Sequence, residues 1–333
     1  MEALVTGATG FIGSWIARTL VEEGWTVRCL VRESSPREQL EGCAVTFVEG
    51  DLRDEASLRE AVQGCDAVFH AAAYYALWSS DPSAFVEINV EGTRRVLAAA
   101  KEAGVGRVVY TSSVACIGQA PPEGLANEDT VANEDDLCGD YKVTKFQAEQ
   151  LALEAAAAGQ DVVIVNPSST IGPGDVKPTP TGKILVDFLS GKMPAYLDTG
   201  LNFVDVRDVA RGHLLAFQKG QRGRRYILGN REGNKSLHEF LVAVGEVTGK
   251  RPPRFKIPYG VAYMAGAAST FWAGLTKQTP GVPLNGVKMA KHRMFFDPSR
   301  AIEELGLPQT PLATTLADAV AWFRERGMVP AQA

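Results

Sequence analysis

The feature that most constrains the fold is the stretch LVTGATGFIGSWIARTL, in which a glycine-rich loop separates an apolar strand from an amphipathic helix. In such a unit Gly7 permits a tight turn, Gly10 lets the backbone approach a pyrophosphate, and Gly13 lets the helix pack closely on the sheet. The helix N-terminus offers N–H groups and the positive end of its dipole to phosphates. The predicted phosphate-binding residues are Gly7, Thr9, Gly10, Phe11, Ile12 and Gly13.

Strands and helices alternate through the first half of the chain. Short β-branched runs predict strands at 3–6, 26–31, 45–50, 67–70, 107–112 and 161–166, and amphipathic stretches predict helices at 11–23, 54–63, 84–103 and 141–158. The alternation predicts parallel βαβ units with helices on both faces of the sheet. The expected fold class is therefore α/β, with a Rossmann-type doubly wound parallel sheet.

The end of the second predicted strand, CLVRESS, distinguishes between two nicotinamide cofactors. NAD-binding proteins usually place Asp or Glu there to bind the ribose 2′-OH, whereas this chain has Val31 followed by Arg32. An arginine suits a 2′-phosphate, so the sequence favours NADP(H) over NAD(H). Arg28 could add positive charge. Glu33 could instead accept from the ribose, with Arg32 a solvated surface residue.

Two short segments follow the third and fourth predicted strands. Asp51 and Leu52, in EGDLRD, fall where an adenine ring would lie. The small residues Ala71, Ala72 and Ala73, in HAAA, would let the cofactor lie close to the backbone. Both segments are also consistent with packing alone.

Tyr141 and Lys145 lie four residues apart at the start of a predicted helix and therefore share one of its faces. A phenol has a pKa near ~10, which must fall by roughly three units for proton exchange near neutrality. A nearby ammonium and a positively charged nicotinamide would both favour the phenolate. The fifth strand ends with Ser112 and Ser113. Because side chains alternate between the two faces of a strand, only one of these serines can face the site. There it could bind a substrate oxygen, or it could simply cap a turn.

With these motifs the chain resembles the extended short-chain dehydrogenases/reductases, the NAD(P)-dependent epimerase/dehydratase group, over nearly its whole length. The resemblance is carried by TGATGFIG, GDL, HAAA, NVEGT, VYTSSVACIG, YKVTK, NPSSTIGPGD and DVRDVARGH. It implies that Tyr141 is the proton donor, that Lys145 also holds the nicotinamide ribose, and that Ser113 is the catalytic serine. It further implies that Asn89 braces the sheet, and that the nicotinamide is lined by Pro167, Ser168 and Ser169.

Within that family the chain is most similar to hopanoid-associated sugar epimerases, through KPTPTGKI, DTGLN and KHRMFF, and next to dihydroflavonol-4-reductase-like carbonyl reductases. Nucleotide-sugar members usually have an Arg-Asp pair where this chain has Leu201 and Asn202, which weakens the case for a diphosphate-bearing substrate. The favoured function is reduction of a small ketone or aldehyde, or oxidation of the alcohol. The alternatives are an epimerase or dehydratase with the same triad, and a non-catalytic NADP-binding regulator.

The resemblance and the loosening of the pattern after Pro167 predict two parts. An NADP-binding Rossmann domain is expected over 1–172, and a mainly helical substrate lobe over 173–333, whose strands near 202–206 and 226–229 return to the main sheet. Helices are expected near 180–190, 207–218, 236–247 and 311–326. Because family members commonly pair two helices per subunit, including the one that bears Tyr141, a homodimer is possible.

Composition excludes several classes of protein and partner. The formal net charge of −5 gives no basic footprint for nucleic acid. Five scattered cysteines without a CxxC pair, and four histidines without metal-ligand spacing, indicate reduced thiols in a cytoplasmic protein and no metal site.

The longest apolar run, Val261 to Leu275, is shorter than the ~20 residues that a membrane-spanning helix needs. It predicts a buried helix of the C-terminal part. An apolar lid, or a surface that touches lipid or an apolar substrate, is the open alternative. Aromatic residues in this half of the chain predict either an apolar pocket or core, namely Tyr196, Phe203, Tyr263 and Trp272.

Overall fold

Parallel strands form the central sheet of the chain, and a smaller sheet lies in its second half. A computed structural model describes residues 1–120, 124–133 and 136–331. The strands are β1 (Glu2–Thr6), β2 (Thr26–Val31), β3 (Val45–Glu49), β4 (Ala67–His70), β5 (Arg107–Thr111), β6 (Val162–Pro167), β7 (Ser169–Ile171), β8 (Ala195–Leu197), β9 (Gly200–Asp205), β10 (Arg225–Leu228), β11 (Asn234–Ser236), β12 (Phe255–Ile257) and β13 (Arg293–Met294).

The central sheet has the strand order β10-β6-β5-β4-β1-β2-β3, and all of its strands are parallel. Every residue of β4 and β6 is buried, as expected for strands that are covered on both faces. The strand order reverses between β1 and β4, and ligands of open α/β sheets bind at the carboxyl ends of the strands at such a point. The predicted α/β fold class is confirmed.

The helices are α1 (Phe11–Glu22), α2 (Glu55–Val62), α3 (Ser83–Phe85), α4 (Gly92–Glu102), α5 (Asp140–Ala157), α6 (Pro180–Leu189), α7 (Val206–Lys219), α8 (Leu237–Thr248), α9 (Tyr259–Thr276), α10 (Leu284–Met289) and α11 (Leu312–Glu325). Helices α1 and α7 cover one face of the central sheet, and α2, α4 and α5 cover the other. A π-helical stretch, Val86–Glu91, joins α3 to α4, so the single helix predicted over 84–103 changes its winding midway.

One of the two strands that were expected to return to the main sheet does so. β10 pairs with β6, as predicted. β9 pairs instead with β7, β11 and β13, so the prediction for 202–206 is wrong. The reason lies in packing, because Phe203 of β9 stacks on Phe240 of α8, with 4.0 Å between ring centroids, in a separate apolar core. The boundary at residue 172 stays a prediction, and residues 332 and 333 of the predicted lobe lie outside the described residues.

Helix α9 is not the buried helix that its apolar sequence predicts. Its buried residues are Gly266 and Ala273, whereas Phe271 and Trp272 are 67% and 63% exposed. Of the aromatic residues predicted as pocket or core, Phe203 is core and Tyr263 is exposed. None of the helices in the described part of the chain is long and apolar enough to cross a membrane.

Candidate active site

The glycine loop connects β1 to α1 at the point where the strand order reverses. Gly7 has φ +71°, and a methyl group there would lie 2.7 Å from the backbone of Ala72. A methyl group at Gly13 would lie 2.1 Å from the Gly7 carbonyl oxygen. Helix α1 begins after Gly10, with no side chain capping it and no acidic residue in its first turn, so its N-terminal N–H groups suit an anion.

The strand ends beside the loop carry the residues that were predicted to contact the adenosine half of a cofactor. Arg32 follows β2 and is exposed. Asp51 forms a bidentate pair with Arg53, which lowers the pKa of its carboxyl to about 2, and the charge of Arg32 adds to that effect. Leu52 is buried against Gly92 of α4. Arg28 contributes nothing here, because its guanidinium pairs with Glu2 at the opposite end of β1.

A hydrogen-bonded chain of buried side chains lies under the loop, and apart from the segment HAAA no sequence motif indicated it. The Ala72 N–H donates to Thr6 Oγ1, which lies 2.7 Å from Nδ1 of His70. Nε2 of His70 lies 3.0 Å from Thr93 Oγ1, and the Thr93 hydroxyl donates to the Asn89 carbonyl. Since Thr93 gives its proton to Asn89, it accepts from His70 Nε2–H, and Nδ1 is left to accept from Thr6.

Asn89 continues this chain to the helix that bears Tyr141. Its side-chain oxygen accepts from the Tyr74 N–H at 2.7 Å, and its amide donates to Thr144 Oγ1 at 3.1 Å. The Thr144 hydroxyl in turn donates to the Asp140 carbonyl at 2.7 Å. The bracing role that the resemblance implied for Asn89 therefore has a concrete form, a link between the loop after β4 and the start of α5.

Ser113 and Tyr141 come together at the carboxyl end of β5. Ser113 caps a short 3₁₀ turn, where its Oγ accepts from the Ala115 N–H. Ser112 is turned away, with its hydroxyl on Cys116 Sγ at 3.4 Å. Burial raises the pKa of the Tyr141 phenol, and hydrogen bonding to Ser113 opposes that rise. Of the two serines, Ser113 thus faces Tyr141.

Lys145 lies one turn along α5 from Tyr141 and is 2% exposed. Its ammonium donates to the Tyr110 hydroxyl at 2.9 Å and to the Thr111 carbonyl at 2.7 Å, two partners that the sequence analysis did not foresee. Burial lowers the pKa of this ammonium to about 8. In this arrangement the chain's own groups leave the phenol of Tyr141 with a raised pKa rather than the lowered one that was expected.

The backbone of Ser113 is held by a second buried polar chain that was also missed. The Asn166 amide donates to the Ser113 carbonyl at 2.9 Å and to Glu149 Oε2 at 2.6 Å. Glu149 is fully buried on α5 and forms a 3.1 Å salt bridge with Arg225 of β10. Ser113 is thereby fixed to α5 and to two strands of the sheet.

The segment after β6 lies between the two sheets. Pro167 and Ser168 are buried and Ser169 is half-buried. The Ser168 hydroxyl donates to Asn202 Oδ1 at 2.9 Å. Leu201 and Asn202 stand where nucleotide-sugar members of the family usually have an Arg-Asp pair. The Asn202 side chain also accepts from the Asn230 N–H and donates to the Asn230 carbonyl. Asn202 is therefore occupied in joining these strands.

A cleft of about 730 Å³ adjoins the two segments that carry Ser113 and Tyr141, although neither of these residues lines it. Its walls include Val114 and Lys142, the residues that directly follow Ser113 and Tyr141. The wall combines apolar side chains with four basic ones and one acidic one, Asp136. The apolar part includes Ile117, Met294, Phe295 and Phe296, and the basic part includes Lys142, Lys288, Lys291 and Arg293.

Comparison with known proteins places the chain in a family. The sequence pattern of the NAD dependent epimerase/dehydratase family matches residues 3–229. The chain belongs to this epimerase/dehydratase family. A Synechocystis sp. protein that carries the name dihydroflavonol 4-reductase is 47% identical over 98% of the chain and 96% of its own length. Sterol demethylase protein B of Methylococcus capsulatus is 37% identical over 99% of the chain and 100% of its own length. Cinnamoyl-CoA reductase 1 of Petunia hybrida is 34% identical over 98% of the chain and 93% of its own length.

Solved structures of the epimerase/dehydratase family share the fold. The crystal structure of gox2253 covers 99% of both chains with a TM-score of 0.88 and 41% identity. That of DesIV, a dTDP-glucose 4,6-dehydratase from Streptomyces venezuelae with NAD bound, covers 98% of both chains with a TM-score of 0.78 and 26% identity. The chain is accordingly an NAD(P)-dependent enzyme of the oxidoreductase, epimerase or dehydratase type. The uncapped α1 and the close approach at Gly7 fit its nicotinamide dinucleotide.

His70 and His213 are both buried, and we therefore expect the free energy of unfolding of the protein to decrease as the pH falls. Burial lowers the pKa of His70 to about 3 and that of His213 to about 4, whereas both would be near ~6.5 in the unfolded chain. Below that pH the unfolded state binds more protons, so each histidine removes up to ~1.4 kcal/mol of unfolding free energy per pH unit. Burial raises the pKa of Asp175 to about 6, which favours the folded state at low pH and offsets one histidine.

Urea denaturation between about pH 7 and about pH 5 measures this balance. We expect a lower free energy of unfolding at the acid end, and a shallower pH dependence in His213→Gln. A free energy that is constant or rises on acidification would contradict the account.

Proposed function

We propose that this chain is an NADP(H)-dependent carbonyl reductase in which Tyr141 gives a proton to the substrate oxygen. The observation that carries the proposal is the approach of the Ser113 and Tyr141 side chains at the carboxyl end of β5, with a cleft that begins at the residue after each of them. When bound, the nicotinamide dinucleotide supplies hydride for the carbonyl carbon. The residues of the chain bind and orient the substrate and move the proton.

Each residue of the proposed triad has a separate task. The raised pKa keeps the Tyr141 phenol protonated at neutral pH, the form that donates a proton. Ser113 Oγ donates a hydrogen bond to the same carbonyl oxygen and orients it. The Lys145 ammonium, anchored by Tyr110 and Thr111, favours the negative charge that remains on the phenol after donation.

The NADP(H) preference rests on Arg32, which is exposed at the end of β2 beside the loop. We expect Arg32→Ala to lower the ratio of kcat/KM for NADPH to that for NADH by about tenfold or more, because a charge-assisted contact with the 2′-phosphate is lost. Arg28→Ala is the matched control and should leave the ratio unchanged, since Arg28 pairs with Glu2. Equal ratios in the wild type and Arg32→Ala would show that Arg32 does not set the preference.

The substrate class follows from the wall of the cleft. Apolar side chains such as Ile117 and Phe296 suit a hydrocarbon skeleton, and the basic side chains suit an acidic group carried on it. Cinnamoyl-CoA reductase 1 of Petunia hybrida carries the name of a substrate with both features. We propose an apolar ketone or aldehyde that bears an anionic group.

A sugar epimerase or dehydratase is the second candidate. The structure of DesIV with NAD bound, and the basic side chains of the cleft, favour it. The test is a screen of carbonyl compounds with NADPH, and of UDP- and dTDP-sugars with NAD, on the wild type and Tyr141→Phe. Net NADPH consumption that Tyr141→Phe abolishes supports the reductase. Sugar-nucleotide conversion without net cofactor change would replace that proposal with the second candidate.

A homodimer that uses α5, the helix that bears Tyr141, remains a proposal that rests on the family, and a cytoplasmic location remains a proposal that rests on the free cysteines. Light scattering on the purified chain tests the homodimer, with a mass twice that of one chain as the expected result.

A non-catalytic NADP-binding regulator is the disfavoured alternative, because Ser113, Tyr141 and Lys145 are all present.

A further inference from the structure

The exposed residues of α9 form a single apolar stripe. Val261, Met264, Phe271, Trp272 and Leu275 are between 51% and 67% exposed. Each of them lies three, four or seven residues from another member of the set, which places them on one face of the helix. A contiguous exposed apolar face of this kind marks an interaction site rather than an ordinary surface.

The side of α9 that faces the protein is made of small residues. A methyl group at Gly266 would lie 3.1 Å from Val287 Cγ2 and 3.3 Å from Leu284 Cα, which shows how closely α9 and α10 approach. Ser269 Oγ and Thr270 Oγ1 accept the N–H groups of Val282 and Leu284. The fold therefore uses the small residues of α9 for packing, and the large apolar ones take no part in it.

The sequence around this stripe has a charge unlike that of the rest of the chain. Residues 251–296 contain no Asp or Glu, although the formal net charge of the whole chain is −5. Their lysines and arginines are all exposed, namely Arg251, Arg254, Lys256, Lys277, Lys288, Lys291 and Arg293. Lys256 and Arg293 share Asp198 as a partner. The segment as a whole is a basic surface beside an apolar one.

We propose that α9 and the basic residues of 251–296 form a peripheral docking surface for an anionic lipid bilayer. Apolar burial and electrostatic attraction are the two signals that together give stable attachment, and each exposed basic residue near anionic lipid adds to the second. Trp272, Phe271 and Tyr263 suit the headgroup level of a bilayer. The helix lies on the surface, without spanning it.

A second copy of the chain fits this surface less well. A two-fold interface places the same patch on both sides, so the basic segment would face itself, and Asp198, which already pairs with Lys256 and Arg293, would offset only part of that charge. An anionic bilayer complements both the apolar stripe and the charge. The proposal concerns attachment alone and does not depend on which reaction the site performs.

Vesicle co-sedimentation with the whole chain tests the proposal. We expect the wild type to bind phosphatidylglycerol vesicles about tenfold or more tightly than phosphatidylcholine vesicles, with binding weakened by added salt. The double variant Phe271→Ser/Trp272→Ser and the double variant Arg254→Glu/Lys277→Glu should each lose about tenfold in affinity. Their matched controls, Val86→Ser and Lys101→Glu, change exposed residues elsewhere and should bind like the wild type.

Absence of binding to phosphatidylglycerol vesicles, or equal binding to both lipids, would overturn the proposal. A concentration-dependent doubling of mass that Phe271→Ser/Trp272→Ser abolishes, without vesicle binding, would assign the surface to a second copy. The substituted side chains are exposed, so unchanged thermal unfolding is expected and serves as the check on folding.

Discussion

Tyr141→Phe should lower kcat for carbonyl reduction by roughly 10³-fold, because a positioned general acid contributes about 10²- to 10⁴-fold and phenylalanine has no proton to give. NADPH affinity should change by less than about twofold, since the substitution removes one hydroxyl and keeps the ring. The ring is held by Tyr75, whose centroid lies 4.5 Å away, so the helix and the loop should keep their positions.

Steady-state kinetics and a fluorescence titration with NADPH measure the two quantities separately. Tyr74→Phe is the matched control, because it removes a nearby hydroxyl whose contact is Ser79 Oγ at 3.1 Å. It should keep kcat within about fivefold. A Tyr141→Phe variant with near wild-type kcat would remove Tyr141 from the reaction.

Gly13→Ala should cost about 3 kcal/mol or more of unfolding free energy, or prevent folding, through a single added methyl group. That methyl would lie 2.1 Å from the Gly7 carbonyl oxygen and 2.6 Å from its carbon. Both atoms belong to backbone that is itself packed against Ala72, so neither α1 nor the loop can shift without disturbing the other. Urea denaturation gives the free energy directly.

Gly274→Ala is the matched control for that substitution. Gly274 also lies in a helix, α9, but a methyl group there would meet no atom of the surrounding described residues within 4 Å. Alanine should stabilise this position by up to ~1 kcal/mol, since it has the higher helix propensity. If both variants lower stability equally, the close approach at Gly13 is not what the position requires.

The features that the sequence predicted correctly are those that local pattern determines. The strands and helices of the βαβ units lie within a residue or two of the expected bounds, because parallel strands covered on both faces are continuous apolar runs. The glycine loop and the strand-end position of Ser113 follow from the same pattern. The four-residue spacing singled out Tyr141 and Lys145, and the family resemblance added Asn89; the catalytic roles of these residues stay predictions.

The features that the sequence did not predict depend on contacts between distant parts of the chain. The apolar run of β9 indicates a strand, but its partners β7, β11 and β13 are set by the packing of Phe203 on α8. The contacts of His70 with Thr6 and Thr93 join residues far apart in sequence. In α9, the uncharged apolar run predicts a helix, but the sequence does not show that the small residues of this helix face the protein and the large ones face outward.

The most direct test of the central claim is the fate of hydrogen carried by the cofactor. The enzyme is given a carbonyl substrate found by the screen and NADPH deuterated at the transferred position of its nicotinamide, and products are followed by mass spectrometry. A reductase with Tyr141 as proton donor places the deuterium on the product carbinol carbon and forms NADP⁺ mole for mole. A product that forms while the NADPH pool stays constant, or that carries no deuterium, would contradict the account.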